Sequence, residues 1–185
     1  MDISVAKHSG FCQGVKFAVD TALGIKDENA WVLGEIIHNA DVVNAISKNG
    51  LKVADTLNDI PCGSTVIFRS HGVPKSFYKD CAERNIKVID CTCRFVKRTQ
   101  SIVEEQSALG RYIVIVGEPE HPEVVGLLGW CGEATVLNDA DKIPEELAQK
   151  SLCVVCQTTF SAEKFEKMFL GFVERNGWTF EGSIK

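Results

Sequence analysis

Short apolar runs alternate with amphipathic stretches along the whole chain. The runs are four or five residues long, rich in Val and Ile, and near-continuous rather than alternating with polar residues. Parallel strands that are covered on both faces have this pattern. The predicted strands are residues 3–6, 30–33, 65–68, 86–89, 112–116, 134–137 and 152–156.

Helical spacing follows most of these runs, and several helix starts carry a recognisable first residue. Asn39 and Ser161 are side chains that cap a helix, and Pro74 and Pro122 suit a first helical turn. The predicted helices are residues 15–25, 39–49, 74–84, 95–108, 123–130 and 161–175.

Strand–helix alternation over 185 residues predicts an α/β fold. A boundary near residues 93–96 leaves three to four strand–helix units on each side, and each side has the size of a small domain. We therefore predict two similar small parallel-sheet domains flanked by helices, a first α/β domain of residues 1–94 and a second of residues 95–185.

Composition excludes several classes of function. The net charge of −5 argues against broad binding of nucleic acid, and no apolar run is long enough to span a membrane. The amino terminus lacks the features of a signal peptide, so we expect a cytoplasmic protein. In a reducing cytosol, the eight cysteines are not expected to form a disulfide framework.

Histidines and hydroxyl residues follow the predicted strands. His38, His71 and His121 each come shortly after one strand, and Thr158 and Thr159 come after another. Ligands bind outside the carboxyl ends of strands in α/β folds, where helix N-termini also favour anions. These donors suit a diphosphate. A zinc site made by the three histidines is an alternative, although their spacing is not a local zinc motif.

Two cysteines belong to a different class of candidate ligand. Cys12 lies in the turn Gly10-Phe11-Cys12-Gln13-Gly14, directly before a predicted helix, and Cys93 follows a predicted strand. Thiolates select iron–sulfur clusters, zinc or Cu(I). Two thiolates are too few for a closed cluster. Cys153 and Cys156 are three apart in a strand and face opposite sides, which disfavours a redox pair.

These residues lie in motifs that resemble the 4-hydroxy-3-methylbut-2-enyl diphosphate reductases, the iron–sulfur enzymes of the LytB type. The resemblance covers essentially the whole chain and rests on six ordered segments. They are Ala6–Val15, Leu33–Asn39, Arg69–Pro74, Val88–Cys93, His121–Gly126 and Gln157–Thr159.

The resemblance implies the reductive dehydroxylation that ends the non-mevalonate isoprenoid pathway. In the family, a [4Fe–4S] cluster held by three cysteines leaves one iron open to the substrate hydroxyl. Two electrons and two protons then remove that oxygen as water and give isopentenyl and dimethylallyl diphosphates. By this resemblance, Cys12 and Cys93 are two of the three cluster ligands.

The resemblance also assigns roles to the other strand-end residues. His38, His71 and His121 correspond to histidines that bind the diphosphate and supply protons, and Glu123 to the acid that relays protons. Thr158 and Thr159 complete the set: Thr158 stands beside that acid, and both bind the small-molecule allylic diphosphate. Electrons are expected from a ferredoxin or flavodoxin, and no nucleotide-binding motif is present.

The chain also departs from the family pattern. Family members have three similar domains, so a third cluster cysteine and a Ser-x-Asn segment are expected beyond Lys185, and this chain alone is expected to be inactive. Arg94 stands where Pro is usual, and Cys91 and Cys156 where small residues are usual. Two alternatives are a non-catalytic diphosphate- or partner-binding module without a cluster, and an unrelated zinc or iron–sulfur structural protein.

Overall fold

The computed structural model describes residues 3–4, 10–37, 39–138 and 145–175. The chain divides into two compact units. Unit 1 contains residues 1–72 and 76–94, and unit 2 contains residues 73–75 and 95–185. The short segment 73–75, which the sequence analysis places in the first domain, therefore groups with the second unit.

Unit 1 is built on a four-stranded parallel sheet with the strand order β2-β1-β3-β4. The register pairs Val32 with Val53 and with Ile67, and pairs Ile67 with Ile89. Its strands are β1 (Ala30–Leu33), β2 (Lys52–Ala54), β3 (Thr65–Phe68) and β4 (Lys87–Asp90), and its helices are α1 (Gln13–Gly24), α2 (Ala40–Lys48) and α3 (Ser76–Glu83), with a 3-10 turn at Leu57–Asp59.

The core of unit 1 lies between the sheet and helices α1 and α2. Ala18 and Ala22 of α1 are fully buried, and Ile46 of α2 is the buried residue of that helix. They pack with Val32 and Ile67 of the central strands. Small alanines on α1 let the helix lie close to the sheet, so the start of α1 is held near the strand ends.

Unit 2 has a three-stranded parallel sheet with the order β6-β5-β7. Helix α4 (Arg94–Ala108) begins at the last residue of unit 1, and its other residues belong to unit 2. The remaining elements are β5 (Tyr112–Val116), α5 (Pro122–Leu128), β6 (Ala134–Leu137), a 3-10 turn at Glu145–Gln149, β7 (Leu152–Cys156) and α6 (Ala162–Arg175).

Both faces of the unit 2 sheet are covered, as the near-continuous apolar strands require. One face packs on Val103 of α4 and on Val124 and Leu127 of α5. The opposite face shares an apolar cavity with Phe165 and Phe169 of α6, whose rings stack with centroids 5.9 Å apart. Phe172, which follows Phe165 and Phe169 at helical spacing, lies outside the described side chains.

The predicted α/β class with parallel sheets is confirmed. Five predicted strands match within the described residues, and a sixth is shifted by one residue to Lys87–Asp90. Strand β2 was not predicted, because three residues with two exposed side chains give no apolar run. The prediction of a strand at residues 3–6 falls half outside the described residues, and Ile3 and Ser4 are exposed and not in a strand.

Candidate functional site

Cys12 is placed by the start of helix α1. It is the residue before the first helical turn, with extended backbone angles, and its carbonyl accepts a hydrogen bond from the Lys16 amide at 2.8 Å. Its side chain does not cap the helix, and the residue is exposed. The thiol therefore stands at a helix N-terminus, where amide groups and the helix dipole favour a negative charge.

Cys93 lies against the same turn of α1. A Cβ atom built on Gly14 would stand 2.9 Å from Cys93 Sγ and 3.1 Å from Cys93 Cβ. Gly14 is two residues after Cys12, so the missing side chain at Gly14 makes room for the second thiol beside the first cysteine's turn. The structure thus places Cys93 against the N-terminal turn of α1, which Cys12 precedes.

The loop that carries Cys93 is fixed by polar contacts. Asp90 accepts from the Thr92 amide at 2.9 Å and from the Tyr78 hydroxyl at 3.1 Å. Burial, followed by the charge of Asp90, raises the pKa of Tyr78, so this hydroxyl keeps its proton and its donor role. The Cys93 amide then donates to the Ser70 carbonyl at 3.0 Å, which continues the pairing beyond the strands.

His71 follows Ser70 and is therefore one residue from the carbonyl that fixes Cys93. Its partner in the prediction, His38, lies outside the described residues. The sequence analysis missed Arg69. Its guanidinium lies over Gly34, where an added Cβ would be 2.9 Å from a terminal nitrogen, and burial lowers its pKa. The signal was available, since Arg69 precedes Ser70 in the motif.

In unit 2, Glu123 and Thr158 form a closed pair. Glu123 is 1% exposed although it lies in the first turn of α5. The Thr158 amide donates to Glu123 Oε1 at 2.7 Å, and the Thr158 hydroxyl donates to Oε2 at 2.7 Å. Both carboxylate oxygens are satisfied by one residue, which offsets the cost of burying the acid.

His121 caps the helix that carries this acid. Its Nδ1 accepts from the Glu123 amide at 3.2 Å, and Pro122 occupies the first helical position. Because Nδ1 is an acceptor, a neutral ring carries its hydrogen on Nε2. The cap therefore fixes the tautomer of His121 as well as the position of Glu123.

Cys156 lies at the end of β7, one residue before Gln157. Burial, together with the charge of Glu123, raises the pKa of Cys156 to about 11. The thiol is therefore protonated at neutral pH. Cys153, the other cysteine of the pair, packs in the core on one face of the sheet, and Val154 packs in the core on the opposite face. Because side chains alternate along a strand, Cys156 shares the face of Val154, and the two thiols diverge as the alternation predicts.

The predicted residues fall into two groups, each within its own unit. Cys12, Cys93 and His71 belong to unit 1, whereas the other four described residues, His121, Glu123, Thr158 and Thr159, belong to unit 2. Among the described residues, no three Cys, His, Asp or Glu side chains are arranged to hold a metal. That the two groups share one pocket stays a prediction.

The fold and these groups define an α/β protein with candidate cysteine ligands in one parallel-sheet unit and a buried, hydroxyl-bonded acid in the other. The family model described as "LytB protein" matches residues 3–178. The chain belongs to the LytB protein family.

Curated relatives and solved structures agree with this assignment. A 4-hydroxy-3-methylbut-2-enyl diphosphate reductase of Alkaliphilus oremlandii is 44% identical over 91% of this chain, and one of Clostridioides difficile is 36% identical over 89%. A solved reductase structure, titled as the terminal enzyme of the non-mevalonate pathway, matches with a TM-score of 0.79 at 35% identity over 95% of this chain. One from Plasmodium falciparum matches with a TM-score of 0.81 at 26% identity over 90% of this chain.

The chain spans only part of these proteins. It covers 62% and 61% of the two curated relatives, and 63% and 54% of the two solved chains. Within the part of the chain that the structure describes, no helix is both long and apolar enough to cross a bilayer.

Proposed function

We propose that this chain supplies two α/β units of a 4-hydroxy-3-methylbut-2-enyl diphosphate reductase. The reaction removes the hydroxyl group of an allylic diphosphate as water, with two electrons and two protons, and gives isopentenyl and dimethylallyl diphosphates. The observation that supports the proposal is the buried Glu123–Thr158 pair behind the His121 cap, because an acid bonded to a hydroxyl is suited to deliver a proton to a departing hydroxyl group. We propose a cytoplasmic location for this chemistry.

Thr158 gives the buried acid a path to the outside. Glu123 is 1% exposed, whereas Thr158 is exposed. A hydroxyl both donates and accepts, so a protonated Glu123 can donate to Thr158 Oγ1 while the Thr158 hydroxyl turns to donate outward. In this proposal, Glu123 holds the proton and Thr158 passes it to the departing hydroxyl.

The diphosphate would be bound by the histidines and threonines at the strand ends. The Nε2 hydrogen of His121 follows from its cap, and His38, His71, Thr158 and Thr159 would add donors. Helix N-termini at α2 and α5 favour the same charge. The half-buried guanidinium of Arg69 would add a fixed positive charge in unit 1.

The thiols of Cys12 and Cys93 fit part of an iron–sulfur site. Gly14 leaves the space in which a second sulfur stands at the N-terminal turn of α1, and thiolates are the ligands that such clusters take. A [4Fe–4S] cluster bound there would supply a Lewis-acidic iron and would accept electrons singly from a ferredoxin or flavodoxin. Two thiolates do not complete a cluster, so the proposal requires a further ligand, and we expect little turnover without it.

Anaerobic reconstitution with iron and sulfide tests the metal part of the proposal. We expect the chain to gain iron and an absorbance near ~400 nm, which arises from thiolate-to-iron transitions. Cys12→Ser and Cys93→Ser should each lose the iron. Cys62→Ser is the matched control, because Cys62 is an exposed cysteine of the same unit. Iron retained by the Cys12→Ser/Cys93→Ser double variant would contradict the assignment, and zinc bound in its place would favour a structural metal protein.

Binding of the allylic diphosphate tests the second part. We expect the substrate to shift the NMR signals of His121 and Thr158 in the chain, and inorganic diphosphate to shift those of His121. If these signals do not change at saturating substrate, His121 and Thr158 do not belong to the substrate site.

A further inference from the structure

Two loops meet at the carboxyl ends of β5 and β7 in unit 2, and one of them leads to the helix that carries Glu123. One runs from Gly117 at the end of β5 to the cap of α5, and the other runs from Gln157 at the end of β7 to the start of α6. Gln157 is 5% exposed and is bonded to both loops. Its Oε1 accepts from the Glu118 amide at 3.0 Å, and its Nε2 donates to Thr159 Oγ1 at 2.7 Å.

The backbone of Gln157 is held as firmly as its side chain. Its amide donates to the Val116 carbonyl at 2.8 Å, and its carbonyl accepts from the Phe160 amide at 2.9 Å. Thr158 therefore follows a residue with bonds at both backbone groups and at both ends of its side-chain amide. The position of the Thr158 amide and hydroxyl depends on how Gln157 is held.

Gly117 makes this arrangement possible. A Cβ atom on Gly117 would stand 2.8 Å from Gln157 Oε1 and 2.9 Å from Gln157 Cβ. The same atom would stand 3.0 Å from Val124 Cγ2, in the residue after Glu123. Glycine thus leaves the space in which the Gln157 side chain crosses from one loop to the other.

We infer that Gln157 is a positioning residue: its amide holds the two loops at the separation at which Thr158 donates both of its hydrogen bonds to Glu123. Gln157 acts through Thr158 and not by contact with the reacting groups. Its value for catalysis rests on the proposed function, whereas the geometric claim does not.

The test uses NMR on the whole 185-residue chain without iron. Gln157→Met keeps the length of the side chain and removes both amide bonds. We expect the Thr158 amide to exchange about tenfold faster, since one hydrogen bond of this kind is worth about that factor. We also expect its proton signal to move upfield, because an N–H that donates to a carboxylate is deshielded.

The matched control is Gln100→Met. Gln100 is a buried glutamine of the same unit, 3% exposed, on helix α4. The Gln100→Met variant should change the exchange rate of the Thr158 amide only as far as it changes global stability. It should leave the proton signal of the Thr158 amide in place. An equal signal change in Gln100→Met would overturn the inference, because the effect would then be general loosening.

Two further variants keep the inference testable if Gln157→Met does not fold. Thr159→Val removes only the bond to Gln157 Nε2 and should give a smaller change in the same direction. Gln157→Glu keeps an acceptor for the Glu118 amide and should restore most of the Thr158 signal. Thr158 exchange and signal unchanged in both Gln157→Met and Thr159→Val would overturn the inference.

The proposed function can fail separately. Failure of Cys12 and Cys93 to bind iron would reject the proposed iron–sulfur site in this chain and would leave the Thr158 measurements as they are. Conversely, if the chain binds iron but the Thr158 amide signal does not change in the Gln157 variants, only the positioning role is rejected.

Discussion

The two units prepare their candidate residues in opposite ways. In unit 1, Cys93 is held near the start of α1 by backbone pairing and by a missing side chain at Gly14, and neither its thiol nor that of Cys12 is given a side-chain partner by the contacts described above. In unit 2, Glu123 is held by two hydrogen bonds from Thr158. The acid therefore has its hydrogen-bond partners within its own unit, whereas the two cysteines would need a further ligand to hold a cluster.

The largest effect is expected at Gly14. An alanine there would place a methyl group 2.9 Å from Cys93 Sγ, and the thiol can rotate away because it is the end of a side chain. We expect Gly14→Ala to lose bound iron after reconstitution and to lower stability by about 1 kcal/mol, because Cys93 Cβ would stand 3.1 Å from the added atom and cannot rotate aside.

Gly24→Ala is the matched control, because Gly24 is in the same helix and nothing lies within 4 Å of the added atom. It should keep its iron and gain up to about 1 kcal/mol in stability from better helix propensity. Equal iron content in the two variants would contradict the placement of Cys93.

The second largest effect is expected at Gly129 in unit 2. An added Cβ would stand 2.4 Å from Pro74 Cβ and 2.6 Å from Pro74 Cα, and a proline ring cannot rotate aside. We expect Gly129→Ala to lower the free energy of unfolding by about 3 kcal/mol in urea titrations. Gly132→Ala is the control, since its nearest contact is 3.8 Å away. Similar stability of the two variants would contradict the packing of Pro74.

Thr158→Val tests the closed pair directly. It removes the hydroxyl donor to Glu123 Oε2 and keeps the amide donor to Oε1. We expect a loss of about 1–2 kcal/mol in the free energy of unfolding, because a buried carboxylate oxygen is left without its donor. Thr158→Ser should recover most of it. A valine variant as stable as the serine variant would show that the hydroxyl does not support the acid.

The smallest effect is a pH dependence from Cys156. Its folded pKa of about 11 lies above the ordinary value of 9.0, so the folded state binds more protons between these values. The free energy of unfolding should therefore be unaffected by this group below about pH 9 and should fall as the pH rises toward 11. Cys156→Ala should reduce that fall in denaturant titrations, and Cys62→Ala should not. An unchanged slope would contradict the burial of the Cys156 thiol.

The sequence predicts the strands well and the contacts between side chains poorly. Continuous Val and Ile runs locate β3, β5 and β7, because a strand buried on both faces must be apolar throughout. The same rule misses β2, whose side chains are mostly exposed. Apolar patterning follows burial, so it weakens where a strand lies at the edge of a sheet.

In the candidate site, too, the residue positions can be predicted from the sequence and the contacts between side chains cannot. Strand-end positions and motif resemblance select Glu123, Thr158 and Cys93 before any coordinates. They do not reveal that Gly14 leaves room for the Cys93 thiol, or that Gln157 joins two loops. Each of these contacts depends on the distance between residues that are far apart in sequence. Arg69 belongs to the motif Arg69–Pro74, but a single cation beside a histidine does not by itself indicate a site.

The segment 73–75 limits how this chain can be divided. Its packing lies in unit 2, where the Trp130 indole donates to the Val73 carbonyl at 2.9 Å and the Lys75 amide donates to the Gly129 carbonyl at 3.3 Å. A recombinant piece that ends at Arg94 would contain these three residues without the groups to which they bond. The complementary piece would expose the Trp130 indole and the Gly129 carbonyl, which bond to them in the whole chain. Separate expression of the halves would thus benefit from replacing Val73–Lys75 with a polar linker in the first piece and supplying it as a peptide to the second.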